Sequence, residues 1–218
     1  MEQDVHEYEG SDVTVQYDVK RCIHARECVK GLPTVFDPDE RPWIRPDNAD
    51  ADDLAAVITK CPTGALHFER KDGGWEETPP NENTVEVSHD GPLYVRGDVE
   101  ITDEDETVLL SDTRIALCRC GASANKPLCD NSHLDVDFEA PGTVSEGHES
   151  DGSTDRELSV IPTHDGPLHV EGAFEIVGQD DGSSYHAGDA WLCRCGGSQN
   201  KPFCDNTHVK IGFRTDDD

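Results

Sequence analysis

Apolar positions in this chain fall into short runs whose spacing switches between alternation and a helical period. Val13 to Asp18 (V-T-V-Q-Y-D) alternates and predicts a strand. Cys22 to Lys30 predicts a short helix halted by Gly31 and Pro33. A second helix is expected over Ala51–Lys60, capped by Asn48 or Asp50, with Leu54, Val57, Ile58 and Cys61 on one face. Pro62 and Gly64 stop it, and Ala65 to Glu69 reads as a closing strand. Residues 1–12 read as a polar lead, so the first unit is strand–helix–helix–strand over 13–70.

Beyond a linker-like stretch, Lys71 to Asn83, the pattern turns β-like and repeats. P-L-Y-V-R and T-V-L-L are matched later by P-L-H-V-E and A-W-L-C. His89-Asp90-Gly91-Pro92-Leu93 recurs as His164-Asp165-Gly166-Pro167-Leu168, Gly97 as Gly172 and Phe138 as Phe213, all 75 residues on. Two copies of one module, 84–140 and 157–214, follow from this offset. Between them lies a Gly-, Ser- and acid-rich linker, 141–155, and an acidic tail ends the chain. The expected class is α+β, with a small α/β domain ahead of two β-rich modules.

Composition changes the picture in two ways. Only 34% of the 218 residues are hydrophobic, so modules of about 60 residues bury little and need a staple such as a metal. The formal charge of −29, from 47 acids against 18 Lys and Arg, opposes nucleic acid and anionic membranes as partners. Acids spread along the whole chain with seven lysines resemble proteins of salt-loving cytoplasms. At about 1 M salt the Debye length is roughly 3 Å, which screens that self-repulsion. Nine cysteines exclude a fully paired intramolecular disulfide set. Met1 to Gly10 is unlike a secretory signal and no apolar run is long enough to span a bilayer, so a cytoplasmic protein is expected, where grouped thiols point to metal.

The thiols carry the chemistry. Cys118, Cys120, Cys129 and His133 recur as Cys193, Cys195, Cys204 and His208 within C-R-C-G-x-S-x-N-K-P-x-C-D-N-[ST]-H. Cysteines two apart can converge on one metal, and a Cys and His four apart share one face of a helical turn. Two ligand pairs suit a two-iron cluster, one pair per iron, or close a tetrahedral zinc site. Asp130 and Asp205 can cap the short helix bearing the histidine. Ser123 and Ser198 can donate hydrogen bonds near the sulfurs, and Lys126 and Lys201 can offset cluster charge.

This pattern resembles the CDGSH iron–sulfur family, the mitoNEET-like proteins: C-x-C-x2-[ST]-x3-P-x-C-D-G-[SAT]-H. Both copies depart from it only where Asn131 and Asn206 replace glycine, and asparagine tolerates the left-handed backbone such a turn needs. The resemblance implies one [2Fe–2S] cluster per motif, with Cys118 and Cys120 on the inner iron and Cys129 and His133 on the outer one. Cys193, Cys195, Cys204 and His208 repeat this. Single-motif members pair as homodimers, so a tandem chain is expected to build an internal pseudo-dimer and remain a monomer. A neutral imidazole in place of a thiolate raises the reduction potential and makes the cluster acid-labile.

Cys22, Cys28 and Cys61 remain. Set against C-x2-C-x2-C with a distant C-P, the middle ligand position is Ala25. Three cysteines suit a [3Fe–4S] cluster, or a [4Fe–4S] cluster with an unusual fourth ligand such as His24; buried structural thiols are the alternative. The stretch from C-I-H-A-R-E-C through R-P-W-I-R-P-D to C-P-T-G-A-L resembles the divergent single-cluster ferredoxin-like family. His67, on the closing strand, is assigned a structural role. The expected function is that of a non-enzymatic iron–sulfur protein, for electron transfer, cluster transfer or redox sensing, with a redox protein or apo iron–sulfur acceptor as partner. A zinc-stabilised interaction module is the second reading, and an oxidoreductase with a substrate pocket beside a cluster ranks last.

Overall fold

A computed structural model describes residues 3–145 and 157–215. The predicted acidic tail and most of the second linker lie outside these residues. The chain divides into two compact units, one reaching Thr78 and one beginning at Pro79.

The first unit is a three-stranded antiparallel sheet with two short helices. Strands β1 (Val5–Glu9), β2 (Val13–Asp18) and β3 (Leu66–Arg70) lie in the order β1-β2-β3. The segment read as a polar lead is therefore an edge strand: its residues are mostly exposed, so alternation against a core never marked it. Helix α1 spans only Glu27–Gly31, because His24 (φ 54°) and Arg26 (φ 65°) take left-handed conformations that end any helix begun at Cys22. Helix α2, Ala51–Ile58, starts after Asp50 and buries Leu54, Ala55, Val57 and Ile58. These join Val13, Val15, Val35, Phe36, Ile44 and Leu66 in the core.

In the second unit both repeats build one sheet and one core. Its elements are β4 (Asn83–Val87), β5 (Leu93–Thr102), β6 (Val108–Leu117), α3 (Ser132–Asp135), β7 (Glu157–Pro162), β8 (Leu168–Gly178), β9 (Ser184–Leu192) and α4 (Thr207–Ile211). Within each repeat a long hairpin forms, β5 with β6 and β8 with β9. The short strands connect the repeats. β4 lies antiparallel to β5 and parallel to β8, while β7 lies antiparallel to β8 and parallel to β5. The circuit β4-β5-β7-β8 closes on itself as a small barrel. Its interior takes Val85, Val95 and Ile101 from the first repeat and Leu158, Val170 and Ile176 from the second.

The exchange of partners explains the paired glycines. β5 uses Leu93–Arg96 on β4 and Asp98–Ile101 on β7, and the hairpin register slips between Arg96 and Val99. Gly97 sits at that irregularity, and Gly172 at its counterpart between Glu171 and Phe174. A Cβ on Gly97 would strike the Asn83 side chain, which accepts from Asp98 N (3.0 Å) and donates to Ala173 O (2.9 Å). Gly172 holds φ 122° against the Glu157 carbonyl. Among the described residues, no helix is long and apolar enough to cross a membrane.

Replacing Gly172 by Ala is expected to destabilise the unit by about 1–3 kcal/mol. Gly182→Ala, at φ 67° with nothing within 4 Å, should cost less. Denaturant unfolding followed by circular dichroism checks the difference. A second prediction concerns the contact of His89 with Asp180 (Nδ1–Oδ2 2.9 Å), which joins the D-G-P turn of one repeat to the β8–β9 hairpin of the other. The hydrogen bond that His89 donates to Asp180 raises the His89 pKa above 6.5, and the same bond lowers that of Asp180. Its contribution is complete below the unfolded histidine value, fades as pH rises through the raised folded value, and is also lost in acid as Asp180 protonates. NMR titration should place His89 above 6.5, with Asp180→Asn bringing it back.

Candidate metal centres

Each ligand loop of the second unit is zipped shut by its own main chain. β6 runs into Cys118, whose N–H donates to Pro127 O (2.8 Å), and Cys129 N–H donates to Ala116 O (2.8 Å). The second loop repeats this with Cys193 to Pro202 (2.7 Å) and Cys204 to Trp191 (2.8 Å). These bonds flank the Leu117–Leu128 and Leu192–Phe203 bridges, which set the first cysteine of each motif opposite the proline and the third opposite the residue two before the first.

The four donors gather as two pairs. Cys118 and Cys120 lie 3.7 Å apart at sulfur, and Cys129 Sγ lies 3.5 Å from His133 Nδ1. In the second motif the values are 3.8 Å and 3.5 Å. No three of these Cys and His donor atoms come within 4.8 Å of one another; among the described residues a single trio of His, Cys, Asp or Glu does, and it lies elsewhere.

Asn131 (φ 76°) and Asn206 (φ 65°) take the left-handed backbone that the turn requires. Their N–H groups point at Cys129 Sγ (3.5 Å) and Cys204 Sγ (3.4 Å). Amides of Gly121 and Ser123 stabilise a thiolate on Cys118, as those of Gly196 and Ser198 do on Cys193. With the hydrogen bond from the neighbouring cysteine as the largest cause, both thiols fall to about 6, while Cys120 and Cys195 are pushed up. Burial raises Cys129 to about 12 and lowers His133.

The serines depart from their expected role, while the aspartates and Lys201 keep theirs. Ser123 and Ser198 turn their hydroxyls to Leu128 O (2.6 Å) and Phe203 O (2.7 Å), bracing the loop. Asp130 clamps both ends of its turn, accepting from Ala124 N (2.8 Å) and Ser132 N (3.0 Å), and Asp205 does the same with Gln199 and Thr207. Asn131 and Asn206 hold the N-cap positions without a side-chain capping bond, and Asp130 and Asp205 supply the acceptors for the first helical N–H groups, as expected. Lys201 donates to Ser198 O (2.6 Å), and its charge helps to lower Cys193.

Sequence reasoning passed over the residue between the first two ligands. Arg119 is 1% exposed and its guanidinium donates to the carbonyls of Ser88 (2.7 Å), Gly91 (2.9 Å), Ala140 (3.1 Å) and Pro141 (3.2 Å). It also lies over Phe138, 5.2 Å from the ring centroid, as Arg194 lies over Phe213 at 5.6 Å. The repeated D-G-P turns and phenylalanines are thus the mounts of two buried arginines. Burial lowers Arg119 to about 10, opposed by a Cys193 thiolate of the other motif. The signal was available, since C-R-C keeps its arginine in both copies.

The two loops meet back to back. Cys120 and Cys195 form a β-bridge, and a Cβ on Gly121 would come within 2.9 Å of Cys195 O, one on Gly196 within 2.7 Å of Cys120 O.

In the first unit Cys22, Cys28, Cys61 and His24 line a single cavity of about 590 Å³. Tyr8, Tyr17 and Trp43 form its aromatic wall, with Tyr17 edge-on to Trp43 at 4.9 Å. The left-handed residues His24 and Arg26 wrap the loop around this space. His24 Nδ1 is 3.9 Å from Cys22 Sγ, and burial, together with the neighbouring Cys22, pushes the Tyr17 hydroxyl pKa up. Burial raises Cys28 to about 11, so it is a protonated thiol unless a cation takes the proton's place. Three thiols around a cavity of this size fit a cubane-type cluster. His67 pairs with Glu77 at 3.6 Å.

Residues 8–71 match the family described as divergent 4Fe-4S mono-cluster. Residues 90–134 and 165–209 each match iron-binding zinc finger CDGSH type. Uncharacterized protein YjdI of Escherichia coli (strain K12) is 36% identical over 64 residues, 29% of this chain and 84% of its own length. The protein of the same name in Escherichia coli O157:H7 matches to the same extent.

Arg119→Met is expected to strand buried carbonyls at about 1–3 kcal/mol each. The unfolding free energy should fall by at least about 3 kcal/mol, measured by denaturant titration. Arg119→Lys should recover only part of it, because an ammonium cannot span the same acceptors.

Proposed function

Since the chain belongs to the CDGSH iron–sulfur proteins and carries a divergent 4Fe-4S mono-cluster domain ahead of its two CDGSH modules, we propose that it is a three-cluster electron or cluster carrier. Each CDGSH motif takes a [2Fe–2S] cluster on Cys118, Cys120, Cys129 and His133, or on Cys193, Cys195, Cys204 and His208. One observation carries this reading: the donors stand as two tight pairs that do not close into one site. A single tetrahedral zinc with bonds of about 2.0–2.3 Å would need all four within about 4 Å. That argues against the zinc-stabilised alternative.

When bound, the clusters supply one-electron redox chemistry. The protein's part is to hold, tune and separate them. Main-chain amides donate to the sulfurs, Arg119 and Arg194 supply buried positive charge, and the histidines replace one thiolate per motif. Reciprocal pairing of β4 and β7 supports an internal pseudo-dimer in a monomeric chain. The bridge between Cys120 and Cys195 makes the two centres neighbours, so an electron entering one module can leave by the other.

In the first unit Cys22, Cys28 and Cys61 would hold a [4Fe–4S] cluster, with His24, which lines the same cavity, as the candidate fourth ligand. A redox protein or an apo iron–sulfur acceptor is the expected partner.

Air-free purification should give a coloured protein with about two irons and two sulfides per CDGSH module, plus the first-unit cluster. Colourless protein holding zinc without acid-labile sulfide would overturn the reading. His133→Cys adds a thiolate charge and should lower the potential of that module alone, with slower bleaching in acid, seen by spectroelectrochemistry and absorbance decay. His24→Ala should convert the first-unit cluster to a three-iron form with its own electron paramagnetic resonance signal, leaving the CDGSH spectra unchanged.

A further inference from the structure

The strand pair leading into the second ligand loop carries donors that the first lacks. His169 Nε2 lies 2.6 Å from Asp189 Oδ2 and 3.9 Å from Glu171 Oε1. All three donor atoms fall within 4.8 Å of one another, the single such trio among the described residues. Strand register accounts for the grouping: Glu171 faces Asp189 across the hairpin, and His169 is two residues from Glu171 on the same face. The imidazole lies flat on Trp191, its cross-strand partner, with ring centroids 4.1 Å apart and planes within 8°. Stacking fixes the ring plane, so Nε2 is aimed rather than free to swing. The side chains are 17% (His169), 47% (Glu171) and 38% (Asp189) exposed, open to an ion from solvent.

The first repeat provides an internal control. At the four equivalent positions, 75 residues earlier, stand Tyr94, Arg96, Arg114 and Ala116. There Arg96 faces Arg114 in the same register in which Glu171 faces Asp189. Two copies of one hairpin thus carry two cations in one case and an imidazole with two carboxylates in the other. The backbone does not require the difference.

We propose that His169, Glu171 and Asp189 form a surface site for a borderline divalent transition ion such as Zn²⁺, separate from the iron–sulfur ligands. One imidazole with two carboxylates suits such an ion, whereas Mg²⁺ and Ca²⁺ prefer oxygen alone. Bonds of about 2.0–2.2 Å place adjacent donors about 3–3.5 Å apart. The shorter observed separation must open and the longer must close, each within reach of a side-chain rotation. Water completes the coordination. The ion would tie β9 to β8 four residues ahead of Cys193, bracing one ligand loop and not its twin.

The test is calorimetric titration of the untagged, cluster-loaded chain with Zn²⁺ in high salt, where diffuse attraction to the acidic surface is screened. One equivalent is expected to bind, undisturbed by excess Mg²⁺, with no change in visible absorption and with a change in tryptophan fluorescence. His169→Gln, Glu171→Gln and Asp189→Asn should each weaken that step at least tenfold while keeping the cluster spectrum, which also reports that the variants fold. Three results would overturn the site: no step in the unaltered chain, a step that His169→Gln leaves intact, or a step that bleaches the clusters. The last would place the zinc on the cysteines.

Discussion

Neither repeat of the second unit has enough apolar surface to close a core alone, and every other feature follows from how that shortage is met. Each lends a short strand to the other: β4 lies beside β8, and β7 beside β5. The result is one core filled from both repeats. The long strands must change partner halfway, which places Gly97 and Gly172 at the bends and Asn83 as the polar bracket between them. Hydrophobic burial here is thus inseparable from bringing the two ligand loops together.

The loops are rigid for local reasons. Main-chain hydrogen bonds at Cys118, Cys129, Cys193 and Cys204 close each loop, and Asp130 and Asp205 lock the turn between the third cysteine and the histidine. Donors held in this way would need little reorganisation around a metal centre. The buried arginines add a second constraint. A guanidinium taken out of water costs several kcal/mol unless its N–H groups are satisfied, and Arg119 achieves this with carbonyls alone. Its charge therefore stays uncancelled by direct ion pairing and remains available to the Cys193 thiolate of the other motif. In a protein of net charge −29, two buried arginines, Arg119 and Arg194, stand within the ligand loops themselves.

The first unit solves the same problem with a cavity. Its sheet and helices leave about 590 Å³ lined by all three of its cysteines, with aromatic rings on one side and a left-handed loop on the other. Burial makes the thiol form of Cys28 strongly preferred in the absence of a cation. A metal centre there would substitute for protons and fill space, which would couple loading to folding.

Much of this was legible in the residues. The pairing of candidate donors, the 75-residue duplication, helix α2 with its buried face, and the left-handed asparagines all follow from spacing and from the conformational tolerance of single residue types. Such properties are local, and one-dimensional pattern captures them. The edge strand β1 was invisible because an exposed strand need not alternate, and α1 was overextended because nothing in C-I-H-A-R announces two left-handed residues. The exchange of β4 and β7, the carbonyl cage around Arg119 and the grouping of His169, Glu171 and Asp189 were decided by tertiary structure alone. Each depends on atoms brought together across strands or between repeats. Which face meets which is settled by the competition to bury a scarce core, and no local preference records its outcome.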